Sequence, residues 1–279
     1  MTERPRGILV GYDGSSSSQQ ALSWAARTAR ERRAMLTVCH AWTPGYAALT
    51  AAGGAGRRED LAQASAQQIL ARGLRAVSSQ EVEQLLTEGS PARALCEHSA
   101  AAGMVVVGSR GLGGLSGLLL GSVSHQVAGH ASGPVIVVRG HWRPAGGYVP
   151  GHIVAGVDGS AAAGQALAFA GEEAAIRRVP LTAVCALSDA PGDLGGADLI
   201  EADFERSVTS WEKAHPDVEL HRLVTVTSPR EALLTAARDA QLLVLGSRGR
   251  GGLHAMMLGS VSQALLFHAP CPVAVVHPR

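Results

Sequence analysis

Two glycine-spaced stretches carry the plainest chemistry in this chain. The first runs Gly108-Ser109-Arg110-Gly111, then nine residues, then Gly121-Ser122-Val123-Ser124. The second runs Gly246-Ser247-Arg248-Gly249, then nine residues, then Gly259-Ser260-Val261-Ser262. Both have the form G-x2-G-x9-G-S, and both follow an apolar run (104–107 and 242–245) that reads as a buried strand. Glycines let backbone N–H groups approach phosphate oxygens with no Cβ in the way. If 121–124 and 259–262 open helices, their amides and serine hydroxyls can donate to an anion at the positive end of a helix dipole. Arg110 and Arg248 can screen phosphate charge or point into solvent. Asp13 and Asp158, each at the end of an earlier apolar run, can accept hydrogen bonds from ribose hydroxyls. Each piece also has a plain structural reading. Asp-Gly-Ser after a strand can be a helix cap, and a glycine loop can be a tight connection. The conjunction, present twice, favours a nucleotide.

The elements that must position these residues are themselves duplicated. The run Ile8-Leu9-Val10-Gly11-Tyr12-Asp13-Gly14-Ser15 matches Ile153-Val154-Ala155-Gly156-Val157-Asp158-Gly159-Ser160 at an offset of 145. Leu36-Thr37 matches Leu181-Thr182 at the same offset, while Ser90-Pro91 and Gly108 match Ser228-Pro229 and Gly246 at 138. The second copy is therefore seven residues shorter between its second and third strands. Apolar periodicity predicts strands near 7–13, 35–42, 81–87, 103–108 and 134–139, and helices near 16–33, 57–77, 91–102 and 122–131. The second copy repeats this with strands near 152–158, 180–187, 218–226, 241–247 and 272–277, and helices near 161–178, 198–214, 229–239 and 260–268. Pro91 and Pro229, each after Ser, mark helix starts. Strand–helix alternation predicts α/β domains with parallel sheets covered on both faces. Two domains are expected, 1–140 and 151–279, joined by a Gly- and Pro-rich linker at 141–150. The segments 45–56 and 189–196 read as loops after the second strand of each copy.

Composition narrows the function classes. Hydrophobic residues make up 46% and charged residues 17%, which supports packed cores rather than disorder. The balance of 24 basic against 23 acidic residues offers no basic excess for nucleic acid or an anionic membrane. Four scattered cysteines (Cys39, Cys96, Cys185, Cys271) suit free thiols in a reducing cytoplasm. The N-terminus has no signal-peptide pattern, and no apolar run reaches membrane-span length. There is no G-x4-G-K-[ST] loop, no G-x-G-x-x-G after either first strand, no G-x-S-x-G elbow and no H-E-x-x-H. Neither Cys96 with His98 nor His268 with Cys271 has a second pair beside it, so no metal site is expected. The tryptophans read as packing residues.

At these residues the chain resembles the universal stress protein family in its tandem two-domain form. The resemblance covers nearly the whole chain, and the G-x2-G-x9-G-[ST] spacing is that family's ATP-binding signature. It implies two tandem doubly wound domains, each with a five-stranded parallel sheet of order 3-2-1-4-5, helices on both faces and one ATP. Carried over, Gly11, Asp13 and Ala41 border the adenosine in the first copy, and Val107, Gly108, Gly111, Gly121, Ser122, Val123 and Ser124 line the ribose and phosphates. In the second copy these are Gly156, Asp158, Ala186, Leu245, Gly246, Gly249, Gly259, Ser260, Val261 and Ser262. Leu245 for Val107, and Thr227 for Gly89, are departures between the copies. The last strands, at 134–138 and 272–276, resemble the edge strands through which family members pair, which implies an internal pseudo-dimer and room for a further homodimer. The implied function is a cytoplasmic ATP-binding stress-response regulator with a regulatory protein partner still to be named. Any magnesium would arrive with the nucleotide. Two alternatives remain. One is a slow ATP hydrolase or nucleotidyl-transferring enzyme, although the H-x-G-H motif is missing. The other is a nucleotide-free assembly scaffold.

Overall fold

The computed structural model describes residues 7–43, 55–77, 81–112, 120–139, 151–187, 194–250 and 258–277. The chain divides into two compact units, Met1–Val138 and Arg139–Arg279. The expected linker, 141–150, lies outside the described residues.

The first unit runs β1 (Ile8–Gly11), α1 (Ser16–Arg32), β2 (Leu36–Trp42), α2 (Ala55–Ala76), β3 (Val82–Glu88), α3 (Pro91–Ser99), β4 (Met104–Gly108), α4 (Ser122–His130) and β5 (Val135–Val138). Its strands lie in the order β3-β2-β1-β4-β5, all parallel. Every residue of β4 and β5 is buried, as strands covered on both faces of a parallel sheet require. The chain leaves β1 toward β2 on one side and returns to β4 on the other. The carboxyl ends of β1 and β4 thus flank the point where strand order reverses, which is where such sheets leave a crevice.

The second unit repeats the plan with β6 (Ile153–Gly156), α5 (Ala161–Arg177), β7 (Leu181–Ala186), α6 (Leu194–Ala214), β8 (Leu220–Thr225), α7 (Pro229–Ala236), β9 (Leu242–Gly246), α8 (Ser260–His268) and β10 (Val273–Val276). Its order is β8-β7-β6-β9-β10, again all parallel. Its crevice lies at the ends of β6 and β9. Among the described residues, no helix is long and apolar enough to cross a membrane.

Some boundaries differ from the sequence expectation for identifiable reasons. The first strands stop at Gly11 and Gly156 rather than at the aspartates. Just beyond, Gly14 (φ 84°) and Gly159 (φ 78°) turn the chain, and the hydroxyls of Ser15 and Ser160 cap the next helix. Helices α2 and α6 begin inside the segments expected to be loops, whose remaining residues lie outside the described set. Gly89 takes φ 116°, whereas the only non-glycine residues with positive φ among the described ones are Arg33 and Arg178. Thr227 therefore follows another backbone path, and its Oγ1 is buried without a hydrogen-bond partner.

Arg33 and Arg178 end α1 and α5 in the left-handed conformation (φ 51° and 55°), where each backbone N–H closes on carbonyls of the last turn. Glycine is the usual residue at such a position. The left-handed strain relieved exceeds the extra unfolded-chain entropy that glycine brings, so Arg178→Gly should stabilise by about 0.5–1 kcal/mol. Urea unfolding should show this as a higher midpoint with an unchanged slope.

Candidate functional site

The glycines that end β4 and β9 are required first by packing. A Cβ on Gly108 would lie 2.6 Å from the backbone carbon of Ser17, and one on Gly246 would lie 2.9 Å from that of Ala162. Backbone cannot yield as a side chain can, so the strand end runs against the first turn of α1 or α5 only with glycine there. The loop that follows is then held at both ends. Ser109 N–H donates to the Val138 carbonyl and Gly121 N–H to the Ser109 carbonyl, at 3.1 and 2.8 Å. The second copy repeats both bonds, from Ser247 to Val276 and from Gly259 to Ser247, each at 2.8 Å.

The aspartates tie two loops together. One oxygen of Asp13 accepts the Ser15 N–H and the other accepts the Leu112 N–H, both at 3.0 Å. Asp158 does the same with Ser160 and Arg250, again both at 3.0 Å. Burial would raise the pKa of Asp13, but hydrogen bonds from Ser15, Ser18 and Leu112 outweigh it and hold the carboxyl below the usual carboxylate range. Asp158 accepts one N–H on each oxygen, so each of its oxygens retains a lone pair for a further donor. Gly111 and Gly249 face these carboxylates: a Cβ there would fall 2.6 Å from Asp13 Oδ2 and 2.5 Å from Asp158 Oδ2.

The third glycine differs from the others. Gly121 and Gly259 are the N-caps of α4 and α8, with extended backbone and no side-chain cap. A Cβ at either would meet nothing nearer than 3.5 Å, which is ordinary contact. Neither conformation nor packing calls for glycine there. Its effect is to leave the first-turn amides of both helices bare, where Ser15 and Ser160 cap α1 and α5. The serines that follow divide. Ser122 and Ser260 are exposed, and Val123 and Val261 half-buried, at the mouth of the helix. The Ser124 hydroxyl donates to the Gly108 carbonyl at 2.6 Å, and that of Ser262 to the Gly246 carbonyl at 2.7 Å. This corrects the expectation that these two hydroxyls donate to an anion, because each single proton is already given to the strand end.

In the second unit, all eleven residues singled out from sequence line one cavity of about 430 Å³: Gly156, Asp158, Ala186, Leu245, Gly246, Arg248, Gly249, Gly259, Ser260, Val261 and Ser262. Val157, Val184, Ile200, Pro229, Leu233 and Leu258 add apolar wall, and Arg250 adds a second arginine. In the first unit, Gly11, Asp13, Ala41, Val107, Gly108, Arg110, Gly111 and 121–124 occupy the corresponding positions around the ends of β1, β2 and β4, with the Arg110 side chain exposed. Sequence reasoning missed the apolar wall. Pro229 and Leu233, four apart on α7, carried a faint sign of it. The one cue to Arg250 is that the first copy has Leu112 in its place.

The copies also differ beneath the loop. In the first, Ser17 Oγ accepts the Arg110 N–H at 3.1 Å and lies 3.5 Å from Ser109 Oγ. In the second, Ala162 stands there and Ser247 Oγ is buried without a partner. The four cysteines are free. Burial pushes the thiols of Cys39 and Cys185 up to about 11 and that of Cys271 to about 12, so they stay protonated and unreactive. Among the described residues, no group of three His, Cys, Asp or Glu side chains could hold a metal ion.

Comparison with known proteins converges on one family. The profile of the universal stress protein family matches residues 5–139 and 151–277. A universal stress protein of Mycolicibacterium smegmatis is 37% identical over 289 residues, spanning 98% of this chain and 97% of the relative. One from Mycobacterium tuberculosis is 38% identical over 305 residues, spanning 96% and 94%. Among solved structures, a universal stress protein from Archaeoglobus fulgidus shares the fold, with a TM-score of 0.75 at 21% identity over 97% of this chain and 98% of that one.

Proposed function

The chain belongs to the universal stress protein family, and from that premise we propose that it is an ATP-binding regulatory protein with one nucleotide site per domain. The observation that carries this reading is the convergence of eleven sequence-selected residues on one cavity of about 430 Å³, a volume in the range of small-ligand sites. The apolar wall of Val157, Val184, Ile200 and Leu233 suits an adenine ring. Asp158 keeps acceptor capacity for ribose hydroxyls. The bare amides of α8 and the nearby Arg248 suit the phosphates. The first domain repeats the same backbone cradle around Asp13, Gly111 and Gly121.

The nucleotide acts in this reading as a ligand that sets conformation and partner choice. The carboxylate beside the loop is bound to two amides and the buried serine hydroxyl to a carbonyl, an arrangement suited to holding a ligand rather than turning it over. Magnesium enters with the nucleotide, and the ligand-bound form is the one that a cytoplasmic partner protein reads.

Equilibrium dialysis of the nucleotide-stripped chain against labelled ATP should approach two bound nucleotides per chain. Absence of measurable binding would sink the proposal. Steady-state turnover faster than about one per second, the floor of ordinary enzymes, would turn it toward the hydrolase reading.

A further inference from the structure

The two copies of the loop share every residue of the G-x2-G-x9-G-S signature, and among the positions where they differ Leu112 of the first stands against Arg250 of the second. Resting on the nucleotide reading above, we propose that Arg250, released from Asp203, makes the second site selective for the number of phosphates on its ligand, a selectivity that the first site lacks.

The backbone of Arg250 is fixed, because its N–H donates to Asp158 Oδ2 at 3.0 Å. Its guanidinium reaches across to α6, where Nη1 lies 2.7 Å from Asp203 Oδ2 and 3.4 Å from the Asp158 carbonyl oxygen. Both Arg250 and Ile200, three residues before Asp203, line the cavity. The ion pair therefore joins two sides of the same site. Asp203 is held firmly: a Cβ on Gly159 would come within 2.6 Å of the Asp203 Cβ, so the turn after β6 packs directly against it. The first domain has neither partner of the pair. Leu112 replaces Arg250 and is 67% exposed, and the turn at Gly14 packs on Ile69 of α2 instead of a carboxylate.

The pair is built to be exchanged. Its side chains are 37% and 26% exposed, and ion pairs in contact with water contribute little. The other oxygen of Asp203 already has a cation, Arg206 Nη1 at 3.0 Å on the same helix. Losing Arg250 thus leaves no carboxylate stranded. A polyphosphate in the cavity offers the guanidinium several anionic oxygens in a geometry it can grip with two N–H groups, a stronger bond than the hydrated pair it replaces. Adenosine offers it nothing. The contribution of Arg250 therefore grows with each phosphate, and Asp203 sets the threshold by competing for it.

The test titrates the full chain, stripped of nucleotide, with adenosine, AMP and ATP by calorimetry fitted to two sites. In the wild type, one site should prefer ATP over adenosine by about tenfold more than the other, the size of one hydrogen bond between charged groups. Arg250→Leu should remove that difference by weakening ATP about tenfold more than it weakens adenosine. Asp203→Asn should raise ATP affinity at the selective site with adenosine unmoved, and Leu112→Arg should bring the preference to the first site. If Arg250→Leu weakens adenosine and ATP equally, the arginine only braces the loop and the proposal is overturned. It is also overturned if the ATP preference survives the substitution. Wild-type protein that binds none of the three ligands would overturn the nucleotide reading itself, and this inference with it.

Discussion

Gly249→Ala should cut nucleotide affinity at the second site about 10- to 100-fold and leave the first site intact, so that dialysis at a concentration saturating the wild type recovers one ATP per chain instead of two. The reason is local. The added Cβ would fall 2.5 Å from Asp158 Oδ2, and that oxygen accepts the Arg250 N–H. To admit the methyl group, either the carboxylate or the loop must move, and both movements break the bond that holds the loop over the site. A lost hydrogen bond to a charged group is worth about 1.5–3 kcal/mol, which sets the expected range. Backbone preference is not the cause, since Gly249 is not among the glycines with positive φ. The effect should therefore depend on the carboxylate: in a double-mutant cycle with Asp158→Ala, the two changes should be strongly non-additive. Gly111→Ala should mirror the result at the first site, where the corresponding distance is 2.6 Å. Equal losses at both sites from either single change would show that the two sites do not act separately.

Gly171→Ala should destabilise the second domain, reversing the usual sign for a glycine inside a helix. At an ordinary helical position, alanine gains about 0.5–1 kcal/mol over glycine. In α5, however, a Cβ on Gly171 would lie 1.9 Å from Cζ2 of Trp211, well inside contact distance. Trp211 is 8% exposed and stacks on His215, with ring centroids 4.4 Å apart and planes 9° apart, so it has little freedom to retreat. Overpacking of this kind costs about 1–3 kcal/mol, enough to exceed the propensity gain. Chemical denaturation should show a lower midpoint for the second domain, and in a chain already carrying Trp211→Leu the same Gly171→Ala change should cost much less. Because α6 also carries Ile200 and Asp203, the displaced helix should weaken ligand binding at the second site while the first is unaffected. A rise in the midpoint would mean that the tryptophan yields freely and that α6 is not seated on this glycine.

The sequence made some parts of this molecule legible and hid others. Strand–helix alternation showed because most strands are short apolar runs buried in the sheet, the exposed edge strands β3 and β8 excepted, and duplication let every run be checked against its twin. The loop glycines showed because their spacing is fixed by a strand end, a turn and a helix start that are close in the chain. Their several tasks did not show. Gly108 is needed by Ser17, Gly111 by Asp13, and Gly121 by nothing in the chain itself, yet all three read as the same letter. The hydroxyls of Ser124 and Ser262 were misread because a helix-start serine can face a ligand or the preceding strand, and only the packing of helix on sheet decides. The link between Arg250 and Asp203 was hidden for a different reason: the residues are 47 apart in sequence, and α6 belongs to the segment where the copies differ in length.

The missing caps of α4 and α8 have a thermodynamic consequence. A helix that leaves its first amides bare has left part of its stability to be supplied from outside, and under the proposed reading a bound phosphate would supply it. Each domain would then be sturdier when filled than when empty, by about 2.7 kcal/mol at a ligand concentration a hundred times the dissociation constant. Resistance to unfolding and to proteolysis would rise and fall with the surrounding nucleotide pool. On the proposed nucleotide reading, the chain's own lifetime would follow the nucleotide concentration around it.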